Sequence, residues 1–213
     1  MSATGPGRVV FDNLRRLARS RRPSAGRCEL CSAPLSPEHA HLLDVDTRNV
    51  LCSCDACGIL FPGQAGQHLR RIPRDVRLLP EFTMTDAQWD ALNIPIDMAF
   101  FSRTGAPVRP AAFYPSPAGA VQSLLDLESW EEIVRANRPL SKMEDEVEAL
   151  LVNRTVTPNQ FFLVPIDHCY RLVGLIRTKW RGFSGGKEVW EAISDFFFTL
   201  NDKSIRTGGA PHA

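Results

Sequence analysis

The sequence predicts an α+β protein: a small zinc-ribbon or rubredoxin-like knuckle module followed by an α+β body. Three observations predict it. Five of the six cysteines fall within residues 27–61. From about residue 70 cysteine nearly vanishes, and aromatic and aliphatic residues take over. In that second stretch short apolar runs come first and helical periodicities follow, with one more strand-like run between them. The chain then divides into a basic arm over 1–26, a metal-binding module over 27–72, an α+β domain over 73–206 and a loose tail over 207–213. A length of 213 residues fits one domain or two small ones. No apolar run approaches the ~18 residues of a membrane helix. The N-terminus has no apolar stretch of the kind a secretory signal needs, so the expected compartment is the cytoplasm.

The arm carries the charge. Residues 1–27 hold seven arginines and one acid, Asp12, a balance of +6 that the rest of the chain offsets to a net +1. Val10, Leu14 and Leu17 fall on one side of a short helix over 8–20, with arginines around them. Such an arm can meet phosphate backbone or an acidic protein surface. Only Phe11 interleaves the arginines, so base stacking is not supported, and a protein partner or a solvated arm is favoured.

The knuckle follows. Cys28-Glu-Leu-Cys31 and Cys54-Asp-Ala-Cys57 are two Cys-x-x-Cys pairs, and such pairs let two tight turns present four thiolates to one ion. We assign Cys28, Cys31, Cys54 and Cys57 as the metal ligands. Residues 41–45 and 50–52 pair as a hairpin turning at Thr47-Arg48-Asn49, which brings the two turns together. Gly58 supplies a positive-φ position after Cys57, and residues 58–62 read as extended. Cys52 lies two residues before Cys54, as a neighbouring thiol or a replacement ligand. His39 and His41 read as surface histidines beside the site, or as substitute ligands. Zn2+ is the expected ion, with Fe2+/Fe3+ the alternative, because four thiolates accept either. A redox Cys-x-x-Cys is disfavoured because two pairs occur and neither opens a helix after a strand. An HNH-type nuclease is disfavoured because no helix follows Cys57 to carry its catalytic ligands.

The body reads in order as follows. Residues 94–101 and 111–114 are strands about a turn with Gly105, Pro107 and Pro110, and 115–119 form a rigid turn. Ser123 to Asp126 has capping-box form ahead of a helix placing Leu127, Trp130 and Val134 together. Ser141 to Glu144 is a second capping box, ahead of a helix with Met143, Val147, Leu150 and Leu151 on one face. Residues 161–164 are a buried strand. Asp167 caps a helix carrying Leu172, Val173, Ile176 and Trp180 inward, with a basic far end. Residues 182–186 are a break, and Val189, Ile193, Phe196, Phe197 and Leu200 mark the last helix. Cys169 is a core thiol. Asp97, Arg109, Tyr114, Ser116, Asp167 and His168 are the polar residues an enzyme would use, but each has an ordinary structural role. No nucleophile elbow, P-loop or dinucleotide fingerprint accompanies them. An activity by association rather than catalysis is expected.

Arg27 to Asp44 together with Leu51 to Cys57 resembles the opening of a family of actinobacterial proteins associated with NiFe-hydrogenase gene clusters. Ile96 to Phe101, Ala112 to Ala120, Val164 to Tyr170 and Thr178 to Phe183 resemble its later blocks. The likeness spans roughly Arg27 to Phe198. It implies an accessory protein or complex subunit around a hydrogenase, with hydrogenase subunits or maturation factors as partners. It supplies no catalytic residues. The competing expectations are a rubredoxin-type electron-transfer module, if the ion is iron, and a zinc-knuckle nucleic-acid binder, if binding to DNA is salt-sensitive.

Overall fold

The computed structural model describes residues 26–62, 68–123, 127–182 and 184–206. The basic arm with its short helix, Leu124 to Asp126 of the first capping box and the tail lie outside the described residues. The α+β class holds, with two sheets and helices on both faces of the larger one.

The small sheet has the order β2-β1-β3, from β1 (Ala40–Asp44), β2 (Val50–Ser53) and β3 (Leu69–Arg71). The expected hairpin is present, with His41 opposite Cys52 and Leu43 opposite Val50. Its turn is closed by Asp44 Oδ1, which accepts from the amides of Asp46 and Thr47 at 3.0 Å each. Arg48, at φ +59°, completes the reversal. After β2, Cys54 begins α1 (Asp55–Leu60). This corrects the extended reading of 58–62 and the expectation that neither cysteine pair opens a helix after a strand. A polar side chain at the cap and Asp55 in the first turn favour a helical start, and six residues are too few for periodicity to reveal it. Gly58 is helical, with no positive φ. What it supplies is room: a Cβ there would stand 3.1 Å from Ala40 Cβ and 3.4 Å from Ser53 Oγ, so α1 lies directly on the hairpin.

The large sheet has seven strands in the order β10-β4-β9-β8-β5-β6-β7. These are β4 (Arg77–Leu78), β5 (Met98–Thr104), β6 (Arg109–Ser116), β7 (Gly119–Ser123), β8 (Glu148–Asn153), β9 (Gln160–Pro165) and β10 (Ile205–Arg206). All neighbours are antiparallel except β10 and β4. Both faces are covered, and alternate residues serve opposite cores. Phe100, Leu151, Phe162 and Val164 point to one face, where α4 (Ile166–Lys179) and α5 (Lys187–Lys203) pack. Phe101, Leu150, Val152 and Leu163 point to the other, with Trp89 of α2 (Asp86–Ala91) and Trp130 and Ile133 of α3 (Leu127–Ala136).

This double burial explains a second correction. The residues read as a helix after Ser141 form a 3-10 turn (Arg138–Lys142) and then β8. Every residue of β8 is buried, so the run Ala149 to Val152 is continuously apolar, and a doubly covered strand cannot be told from a buried helix by periodicity. Ser141 Oγ bonds to Arg138 O instead of capping. Glu146, at φ +70°, breaks the helical path.

The knuckle and the body pack continuously across residue 72. Leu43 and Ile72 belong to the same apolar cluster as Val164, Leu172 and Phe197, and Val45 and Val50 rest against it. An ion pair between Arg48 and the buried carboxylate of Glu146 ties the hairpin turn to the body. That carboxylate also accepts from Thr104 Oγ1 and Gly105 N at 2.7 Å each. No helix among the described residues is long and apolar enough to cross a membrane.

Candidate metal centre

The first cysteine pair sits on a tight loop. Cys28 O accepts from Ser32 N at 2.8 Å, and Cys28 N donates to Ala33 O at 2.8 Å. Ser32 takes the left-handed conformation, φ +63°, that reverses the chain after Cys31. Glu29, inside the pair, fixes this loop to β2. Its N–H donates to Cys52 O at 2.9 Å, and its Oε1 accepts from Cys52 N at 3.0 Å. The sequence reading missed this clamp, and an acid between two ligands gives no sign of its partner. The second pair is the opening turn of α1. Cys54 has extended backbone, and its Sγ accepts from Cys57 N at 3.5 Å.

These two turns bring Cys28, Cys31, Cys54 and Cys57 together, with all four sulfurs within 4.8 Å of one another. Cys31 Sγ and Cys54 Sγ are 3.7 Å apart. That is far beyond the ~2.05 Å of a disulfide. A tetrahedron of thiolates ~2.3 Å from a central ion has edges of ~3.8 Å, so the spacing fits one zinc-sized ion. Cys28 and Cys57 are buried, while Cys31 is exposed. Burial pushes the Cys28 thiol up, but the amides of Cys54, Cys31 and Leu30 outweigh it and bring the thiol down to about 6. Burial, with the other three thiols as neighbours, pushes Cys57 up to about 12. The opposite shifts of Cys28 and Cys57 show that these thiols stand close enough to influence one another's ionisation.

Cys52 does not join them. It stands with His39 and His41, and the donor atoms of these three lie within 4.8 Å of one another. Asp167 is not a helix cap. Pro165 precedes α4 without a side-chain cap, and Asp167 Oδ2 accepts from His41 Nδ1 at 2.7 Å. Their sequence separation of 126 hides this pair from any local pattern. His168 lines the same cleft, and burial pushes its pKa down. Cys169 is fully buried among apolar residues, and burial raises its thiol well above the usual range. Ser116 closes its own turn, accepting from Ala118 N and donating to Gly119 O.

No curated protein and no solved structure is similar to the chain. One family model matches residues 27–204: the chain belongs to DUF5947, a family of unknown function.

Proposed function

We propose that this chain is a metal-stabilised, non-catalytic accessory protein or complex subunit of the cytoplasm, supporting the assembly or function of a NiFe-hydrogenase. One observation carries the first half of this reading: four cysteine sulfurs at the spacing of a closed tetrahedral site. A Zn2+ held by Cys28, Cys31, Cys54 and Cys57 has no open position for a substrate, so its role is to hold two turns and a hairpin together. The hydrogenase half rests on the sequence likeness. Exposed apolar side chains suit work by association: Ile59 on α1 is 67% exposed and Phe198 on α5 is 76% exposed. The basic arm would speed encounter with an acidic partner more than it would tighten the complex.

The test is affinity purification from native host cells grown on hydrogen, with metal analysis of the same sample. Recovery of a hydrogenase subunit or maturation factor with stoichiometric zinc supports the reading. Recovery of nucleic acid instead replaces it with the zinc-knuckle nucleic-acid binder. A rubredoxin-type electron-transfer role is favoured by one feature, the exposed Cys31, which would place a thiolate edge of an iron site at the surface. A coloured, iron-containing protein would establish that reading over the first.

A further inference from the structure

We propose that His39, His41 and Cys52 form a second metal site, separate from the four-thiolate cluster, that takes a borderline divalent transition ion with one coordination position left open. The backbone builds it. His41 is the second residue of β1 and His39 immediately precedes the strand, two residues away, so extended chain puts both on one side. Cys52 is the cross-strand partner of His41 and shares that face too. The opposite face carries Ala40 and Ser53, which pack under Gly58. One donor atom from each of the three residues falls within 4.8 Å of the others.

The hydrogen bonds aim both rings. His41 Nδ1 is 2.7 Å from Asp167 Oδ2, so Nδ1–H donates to the carboxylate and the Nε2 lone pair is left free. This is the carboxylate–histidine arrangement that orients imidazole ligands in metal proteins and raises their basicity. His39 Nδ1 is 2.9 Å from Ser36 O. A carbonyl only accepts, so Nδ1 carries the proton and Nε2 is again the free base. His39 Nε2 is buried and has no hydrogen-bond partner among the described residues. A buried acceptor without a partner has lost its hydration with nothing in return, and a cation would satisfy it. A water could satisfy one such atom, but it would not gather a thiol and two oriented imidazoles. The two rings meet edge to face with centroids 4.9 Å apart, so they approach a shared point from different directions.

The donor set names the class of ion. Two imidazole nitrogens and a thiolate suit zinc, cobalt, nickel or copper and disfavour calcium and magnesium. Three protein ligands leave a fourth position, as in catalytic rather than structural zinc sites. Both histidines line a cleft of about 350 Å³ with His168, Arg171 and Lys203, which gives an exchangeable ligand access. None of the three donors belongs to the four-thiolate cluster, so the two assignments stand or fall separately.

Cobalt titration of the full-length chain under reducing conditions tests this. The wild type should bind two Co2+ per chain. A His39→Ala, His41→Ala double variant should bind one and keep the four-sulfur charge-transfer absorption, which also reports that its knuckle is folded. Asp167→Asn should weaken only the second ion, about 10–100-fold. Saturation of the wild type at one equivalent would overturn the proposal. So would a double variant that still binds two.

Discussion

Cys52 and Cys54 are two residues apart, yet their surroundings give them different fates. Cys54 starts α1 and faces three thiols, while Cys52 faces two histidines. Cys54→Ser should therefore lose the ion of the four-thiolate site, and Cys52→Ser should keep it; the four-sulfur charge-transfer absorption of the two cobalt-loaded variants decides. The reverse result would mean that the ligand assignment is wrong. Proton counting gives a second check at this scale. The sign follows from the thiols: Cys28, at about 6, is already ionised at pH 8, whereas Cys57, at about 12, must give up its proton to become a ligand. Zinc binding at pH 8 to the His39→Ala, His41→Ala variant, which keeps only the four-thiolate site, should thus release protons, but fewer than four, read from calorimetry in buffers of different ionisation enthalpy. Gly185 is a third sensitive position. Its φ is +87°, and a Cβ there would meet Val189 Cγ1 at 2.7 Å and the Trp180 ring at 3.1 Å. Gly185→Ala should destabilise the chain by about 1–3 kcal/mol in urea unfolding.

Among the elements, β8 combines full burial with an acidic side chain held in an ion pair. Glu148 is buried on the strand and pairs with Arg77 of β4 at 2.5 Å, across β9. Arg77→Met leaves that carboxylate without its cation, so a loss of about 3–5 kcal/mol is expected from denaturant midpoints. A change under 1 kcal/mol would mean that the Glu144 amide, 2.8 Å from Glu148 Oε2, is partner enough. The same strand shows where reading from sequence stops. The long amphipathic helices were legible: Val189, Ile193, Phe196, Phe197 and Leu200 are all buried on α5, and Leu172, Val173 and Ile176 on α4. The hairpin and the four cysteines were legible because spacing itself encodes them. β8 was not, because burial on both faces erases alternation. α1 was not, because a six-residue helix built on a cysteine cap has no period to read. The two-residue strands β4 and β10 carry no local signal; only their partners make them strands. Asp167 was read as a cap because the local pattern allowed it, and its true partner lies in the other sheet.

Across the whole molecule, the apolar cluster under α4 and α5 includes Leu43 and Ile72 from the metal-binding module. A chain starting at Pro73 would open that cluster, so it should melt earlier and less cooperatively than the full chain by circular dichroism. Metal removal should lower the melting temperature of the body as well as the knuckle, because anything that binds only the folded state stabilises all that folds with it. Two separate transitions would show instead that the knuckle and body fold independently. The position of β4 has one further consequence, for the order in which the parts form during synthesis. All the pieces of the four-thiolate cluster lie between Cys28 and Cys57, so they leave the ribosome together and early. β4 follows soon after, but its two neighbours are β9, more than eighty residues later, and β10, the last strand. Until those arrive, Arg77 and Leu78 have no sheet to enter. Sheets closed by such distant segments form slowly. The nascent chain therefore offers its thiols to metal while most of the body is still being made, so supply of the ion precedes closure of the large sheet.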